Sequence, residues 1–256
     1  MVAAVADIRT TNAPIISVDD VGVQFDRQAR HRGVRELLIK GRAGRTTTTF
    51  WGLRHISFDV QPGESIGVVG RNGQGKSTLL KIVAGVLLPD EGSVTLRAGV
   101  APLIEMTGGF VANLTVRDNI YLAAGLHGMS RETIDSKFDE IIEFSELGNF
   151  LESPYRHLSS GMRVRLAFAV VSQLDEPIML VDEALAVGDH AFRMKCYDKI
   201  TEILDEGRTL FFVSHSAGDL KRFCERGLLL SQGRLIQDGP LEDVLTTYKS
   251  LPPSGQ

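Results

Sequence analysis

The eight residues GRNGQGKS, Gly70 to Ser77, have the types and spacing to hold a row of phosphates. They fit the pattern G-x-x-x-x-G-K-[ST] in full. The glycines Gly70, Gly73 and Gly75, with Asn72 among them, let successive backbone N–H groups turn inward around a phosphate. The Lys76 ammonium would reach the β- and γ-oxygens of a nucleoside triphosphate, and the Ser77 hydroxyl is placed to ligate Mg2+. A helix that opens here, with Thr78 in its first turn, turns its positive end to the same phosphates. Asp182 lies 106 residues after Lys76, where the apolar run IMLV ends in Asp182 and Glu183. A buried strand that ends in two acids is costly unless a cation waits there. Asp182 would hold that ion, and Glu183 would polarise a water against the γ-phosphate. The same acids would also suit the positive end of a following helix; the phosphate loop upstream favours the catalytic reading.

These residues need strands and helices to position them. Ile15 to Phe25 and Leu53 to Val60 read as strands, the second stopped by Gln61-Pro62-Gly63. Ser65 to Val69 is a strand leading into the loop. Leu79, Ile82, Val83, Val86 and Leu87 repeat at helical spacing, with Pro89 to Gly92 as the stop. Two helices broken near Gly128 fill 116–146, and a third runs from Gly161 to Gln173. Ile178 to Val181 and Leu210 to Val213 read as strands, 189–205 as a helix, 227–231 and 234–237 as strands, and 240–249 as a last helix. Strands alternating with helices predict an α/β fold with a parallel core sheet, and helical residues lie between two of its strands.

Composition narrows the class. The chain has 256 residues, a net charge of −4 and a mean hydropathy of +0.02. Its longest strictly apolar runs, such as Leu166 to Val171, are six residues, far short of the roughly 20 residues that span a bilayer. The N-terminus lacks the pattern of a signal peptide. Two cysteines, Cys196 and Cys224, exclude a disulfide framework and a Cys-based zinc site, and a reducing cytosol is expected. The mild acidity argues against a nucleic-acid partner. One segment stands apart: 26–50 carries seven basic residues, from Arg27 to Arg45, against Asp26 and Glu36. Within it, 34–40 has the pattern of a short amphipathic helix. The basic stretch 26–45 suits anionic lipid headgroups or a pyrophosphate-linked substrate, or is a solvated loop.

Leu158-Ser159-Ser160-Gly161-Met162 opens a predicted helix, and Gly161 lies 21 residues before Asp182. This stretch resembles the signature of the ABC ATPases, usually LSGGQ, with Ser160 in place of Gly and Met162 in place of Gln. Asp189 resembles the aspartate of the family's D-loop, and His215, in FVSH, its switch histidine. Singly, Ser159 and Asp189 read as helix N-caps and His215 as a strand-end histidine; their common order favours the family. The resemblance covers about residues 15–245. The variants SGMRVRLAFA and DEALAVGD, followed by Phe192, Lys195 and Cys196, look like the ATP-binding subunits of bacterial polysaccharide exporters that move O-antigen, teichoic acid or galactan. The basic insertion strengthens that likeness.

The resemblance implies a P-loop ATPase of the ABC type. Its core sheet is mainly parallel, with an N-terminal antiparallel β-subdomain and a helical subdomain at about 112–173, in one nucleotide-binding domain over 1–256. Residues 250–256 would be a flexible tail without a sugar-reading domain. The family's loop glutamine is missing: Glu105, in IEMTGGF, is the metal-capable side chain near that place and would ligate Mg2+, or it faces solvent while water takes the site. The adenine platform would be Phe25, with Phe50 and Trp51 as alternatives. The resemblance further implies that Ser159 and Gly161 face the ATP of a second copy, so that a C2 homodimer holds two ATP molecules. Glu183 would prepare the attacking water and His215 would sense the γ-phosphate. The implied partners are separate transmembrane permease subunits at the cytoplasmic face of the inner membrane. The expected cargo is a polyprenyl-pyrophosphate-linked polysaccharide such as galactan or O-antigen. Other ABC exporters or importers share the phosphate chemistry, and a soluble ABC ATPase is the alternative from another class.

Overall fold

Strands β1 (Ile16–Arg27) and β2 (Thr48–Val60) alternate apolar and polar residues over much of their length. In the computed structural model, which describes residues 13–27, 48–103, 109–182 and 189–252, they pair antiparallel, Phe25 opposite Phe50 and Ile16 opposite Val60. Strand β4 (Glu91–Leu96) joins the other edge of β1 and completes a three-stranded sheet in the order β2-β1-β4. The expected helix at 34–40, the rest of the basic segment between 28 and 47, and the tail beyond 252 lie outside the described residues.

The larger sheet has six strands. They are β5 (Val100–Leu103), β6 (Ile178–Val181), β7 (Thr209–Val213), β3 (Ser65–Val69), β8 (Arg226–Ser231) and β9 (Arg234–Pro240), in that spatial order. The first five run parallel and β9 is antiparallel to β8. All residues of β6 and β7 are buried, which is what a parallel sheet covered on both faces requires.

One face carries Ile66, Val68, Leu180, Phe211 and Val213. They pack with Leu79, Leu80 and Val83 of helix α1 (Lys76–Val83) and with Val21, Leu53 and Ile56 of the antiparallel sheet. The other face carries Val69, Met179, Val181, Leu210 and Phe212. They pack against α5 (His190–Asp205) through Phe192, Cys196 and Ile200, and α7 (Leu241–Ser250) through Val244 and Leu245. Burial pushes both thiols, Cys196 and Cys224, up to about 12, so neither is a thiolate at neutral pH.

A third cluster joins α2 (Val116–Leu126), α3 (Arg131–Ser145) and α4 (Ser160–Val171). Helix α4 is shared. Leu166, Ala169 and Val170 face the helical cluster, while Ala167, Phe168 and Val171 face the sheet. The apolar run Leu166 to Val171 is therefore part of a helix buried on all sides, not a strand or a membrane segment. Among the described residues no helix is long and apolar enough to cross a membrane.

Four elements depart from expectation. Helix α1 stops at Val83, before the spacing of Val86 and Leu87 suggests. Gly85 takes φ +70°, its N–H bonds the Ile82 carbonyl and the Val86 N–H bonds the Lys81 carbonyl, a Schellman ending that leaves Val86 largely exposed. Strands β4 and β5 have no counterpart in the sequence reading. The first hides in a turn-like EGS, and the second contains Pro102, tolerated because β5 pairs only with β6 and forms an edge. The short helix α6 (Ala217–Phe223), capped by Ser216, is the fourth.

Arg226 ties the ends of four strands together. Its guanidinium donates to both Asp238 oxygens at 2.6 and 2.7 Å, to the Asp59 carbonyl at 2.9 Å and to Glu64 at 3.1 Å. The Asp238 bonds, followed by Glu64, hold this guanidinium protonated more firmly than usual. Arg226→Met leaves two half-buried carboxylates without their cation. It is expected to lower stability by roughly 2–4 kcal/mol in urea unfolding; a midpoint unchanged from the parent would refute the assignment of Arg226 as the knot of this corner.

Candidate functional site

Strand β3 delivers Gly70 at the carboxyl edge of the larger sheet, and α1 begins six residues later at Lys76. The turn between them depends on torsions that side chains oppose. Gly73 has φ +75° with open space around it, so its requirement is purely conformational. Gly75 caps the helix at φ 101°, and a Cβ there would come within 2.5 Å of Leu53 Cδ2 and 3.0 Å of the Gly52 carbonyl. No side chain caps α1 and no acid sits in its first turn, so its N-terminal amides and its positive end remain available to an anion. Lys76 is buried. Its ammonium donates to the carbonyls of Gly70 at 2.8 Å and Arg71 at 3.0 Å, inside the curve of the loop.

The loop forms one wall of an open cleft of about 460 Å³. Asn72, Gly73, Gly75, Lys76, Ser77 and Thr78 line this wall, and Phe25, Phe50, Gly52 and His215 complete the lining. Phe25 and Phe50 come from paired positions of β1 and β2, with ring centroids 5.9 Å apart. Trp51 does not line the cleft. Strand alternation turns its ring toward the other face, over the Arg54 guanidinium at 4.6 Å and against Gly22. Of the three aromatic alternatives, two therefore reach the cleft. Gly52 was not singled out from the sequence. A Cβ there would strike the Phe25 ring at 2.5 Å, and its signal was a glycine between Trp51 and Leu53 inside a strand.

The sheet order sets the other groups. Because β7 lies between β6 and β3, the loops after all three strands emerge side by side at one edge. His215, after β7, is exposed and lines the cleft. Asp182, after β6, is half-buried beside that edge, with its backbone N–H toward the Leu103 carbonyl. Gly70 is buried at the root of the loop, and neither it nor Asp182 is part of the cleft wall. Glu183 and Glu105 lie outside the described residues. Among the described residues no trio of His, Cys, Asp or Glu gathers as a metal cage. The Ser77 hydroxyl and the Asp182 carboxylate are oxygen donors of the kind that suits Mg2+, which uses one or two protein oxygens and completes its shell with phosphates and water.

Ser159, Gly161 and Asp189 line a different hollow, of about 340 Å³, together with Glu146, Leu147, Phe150, Met162 and Arg165. Ser159 is exposed and caps α4, its Oγ accepting from the Met162 N–H at 3.2 Å. Asp189 caps α5, its Oδ1 accepting from the Phe192 N–H at 2.9 Å. The capping reading of both residues is thus correct, and it leaves their exposed sides facing the hollow. The Phe192 amide, followed by Arg165, holds the Asp189 carboxyl below the usual range. Lys195 and then Arg165 do the same for Glu146. Arg165 bonds both carboxylates and joins the end of α3 to the start of α5. Glu146 and Arg165 were not among the expected site residues. The signal for Arg165 was its position one helical turn beyond Gly161. The cleft and the hollow have no lining residue in common.

Residues 53–186 match the profile of the ABC transporter family. The chain is 44% identical over 212 residues to the O-antigen export system ATP-binding protein RfbB of Klebsiella pneumoniae, covering 83% of this chain and 84% of that protein. It is 41% identical to the teichoic acids export ATP-binding protein TagH of Listeria monocytogenes, covering 78% of this chain and 59% of that one. A dimeric ATP-binding cassette solved in a post-hydrolysis state with ADP and Pi superposes with a TM-score of 0.71 at 19% identity, over 88% of this chain and 98% of that one. A solved ATP-binding subunit of an ABC transporter gives 0.73 at 21%, over 92% and 93%.

The cleft makes the aromatic residues separable. Phe25→Ala removes a ring that lines it and is expected to weaken binding of a fluorescent adenine nucleotide about tenfold. Trp51→Ala should leave that affinity unchanged. Equal losses from the two variants would contradict the placement.

Proposed function

This chain belongs to the ABC transporter family, and on that premise we propose that it is the motor subunit of an exporter of lipid-linked polysaccharide. It is an ATP-hydrolysing ABC ATPase of the branch whose relatives are named for O-antigen and teichoic acid export. The observation that carries the motor reading is the separation of two half-sites on one chain, a phosphate-loop cleft and a hollow lined by Ser159 and Gly161. A single copy offers ATP one wall. Two copies related by a twofold axis would offer each ATP both walls, the loop of one and the Ser159 corner of the other.

In this reading the loop amides and the Lys76 ammonium take the β- and γ-phosphates, and Phe25 with Phe50 takes the adenine. Ser77 and Asp182 would hold Mg2+, which supplies neutralising charge to the phosphate oxygens. Glu105 remains a proposed further ligand from its position in the sequence. Glu183, one residue past Asp182, takes up a proton from the attacking water and so directs the water's oxygen at the γ-phosphorus. His215, exposed in the cleft wall, donates to a γ-phosphate oxygen. Loss of that phosphate removes the bridge between copies, and the dimer loosens.

That motion acts on separate permease subunits, with the ATPase peripheral at the cytoplasmic face of the membrane. The cargo reading, a polysaccharide on a polyprenyl pyrophosphate, with galactan or O-antigen as candidates, rests on the likeness to the named exporters. The basic segment 26–45 is proposed to face the headgroup region.

Lys76→Ala should abolish tight ATP binding in equilibrium titration. Glu183→Gln should bind ATP, lose turnover by a factor on the order of 100 or more, and run as a dimer in size-exclusion chromatography with ATP. Full turnover in Glu183→Gln would remove the catalytic assignment. A trapped variant that stays monomeric, even with its permease, would remove the two-copy site. Export of a radiolabelled lipid-linked glycan by vesicles containing both subunits tests the cargo.

A further inference from the structure

Two side chains of the phosphate loop are engaged away from the cleft. The Gln74 carboxamide oxygen accepts from the N–H of Gln232, in the tight β8–β9 turn. That turn is pinned in place: Gln232 and Gly233 both have positive φ, and the Gly233 carbonyl accepts from the Arg54 N–H of β2 at 2.8 Å. The Arg71 guanidinium donates to the carbonyl of Leu251 at 2.8 Å in a partly buried contact. Leu251 is the C-cap of α7, so its carbonyl stands at the negative end of that helix, where a cation is favoured. Helix α7 is seated by Leu241, Val244 and Leu245, and Gly227 of β8 lets it approach, since a Cβ there would meet Val244 at 3.0 Å. The unit made of β8, β9 and α7 therefore touches the loop at two points.

The main chain of Arg71 has a different partner from its side chain. The Arg71 carbonyl, together with that of Gly70, accepts from the Lys76 ammonium. The residue whose side chain is tethered to the end of α7 thus also carries an acceptor that holds the phosphate-binding lysine. We propose that Arg71 is a positioning residue for nucleotide binding: its bond to the Leu251 carbonyl fixes the Gly70–Arg71 segment that orients Lys76, so the end of α7 sets the affinity of the phosphate loop. The proposal rests on the reading of this loop as the ATP site. It makes the last helix part of the nucleotide-binding apparatus, although that helix lines no part of the cleft.

The test is a double-mutant cycle on the full chain, read by ATP binding and by steady-state hydrolysis. Arg71→Met should weaken ATP binding roughly tenfold, raising KM with kcat nearly kept, because the catalytic groups are untouched. Ser250→Pro, which breaks the last turn of α7 and carries the Leu251 carbonyl away, should produce a similar loss. Together they should be no worse than either alone, since both remove one bond. Arg71→Lys keeps a donor and a cation and should retain most of the affinity. Losses that multiply in the double variant, an Arg71→Met protein with parental affinity, or an Arg71→Lys loss equal to that of Arg71→Met would each overturn the proposal. Lys76→Ala serves as the control. If it too binds ATP normally, the ATP site itself is misassigned; if it alone loses binding, only the role of Arg71 falls.

Discussion

The arrangement depends on a buried ammonium held by the loop it serves. Lys76 lies inside the curve of residues 70–75, and the carbonyls of Gly70 and Arg71 take two of its protons. An unpaired charge at that depth would cost several kcal/mol, so the loop must close around the lysine for the fold to tolerate it. Closure has geometric conditions. The loop must leave β3 at the edge of the sheet, turn through positive φ at Gly73 and Gly75, and enter α1 without a side-chain cap. Each condition that houses the ammonium also leaves backbone N–H groups and the start of a helix unclaimed by the protein. A phosphate supplies what those groups lack.

The antiparallel sheet is tied to the same loop. Gly52 lies where the Phe25 ring crosses β2, and its carbonyl faces both Gly75 and Gly233, leaving no room for a Cβ at Gly233 and little at Gly75. One peptide of β2 therefore touches the helix cap, the turn between β8 and β9, and the strand that carries the aromatic wall. The aromatic wall of the cleft and the wall made by the loop come from different sheets, yet they meet at glycines that leave almost no space between backbones. Rigid registration of this kind suits a ligand whose base and phosphates are a fixed distance apart.

Much of this was legible from residue types. The loop, its strand and its helix are local: glycine torsions, a lysine and a periodic apolar face act within about twenty residues. The helical insertion was legible for the same reason, with Gly128 between α2 and α3 and Ser159 at the start of α4. The features that escaped notice are those decided by distant neighbours. Strand β4 is held by pairing with β1, across more than sixty residues of chain, and little in EGSVTL announces it. The early end of α1 depended on Gly85, a residue the apolar spacing passed over. Which aromatic residues reach the cleft depended on the register of β1 against β2, because a shift of one residue would have exchanged Phe50 for Trp51. Arg165 was visible only by its place one turn beyond Gly161; its two carboxylate partners come from the ends of other helices.

The packing of α4 bears on how loss of a phosphate would become movement. Successive residues of this helix are buried in two clusters, one shared with α2 and α3 and the other with the large sheet. A helix held on one side can slide over its neighbour at small cost, but a helix buried on both sides moves only if one of the two contacts is repacked. The Ser159 corner is the first turn of α4 and cannot change position by itself. In the two-copy arrangement, a force on that corner from the partner's ATP would pass to α4, and from there to α2 and α3 before it reached the sheet. Phe168 of α4 stacks with Phe144 of α3 and stands edge-on to Phe192 of α5, so a single side chain locks α4 to the helical unit and to a helix of the core at once, a contact that resists shear. Movement of the Ser159 corner would therefore carry α3 with α4, and a permease that read the nucleotide state would do so by touching the helical unit.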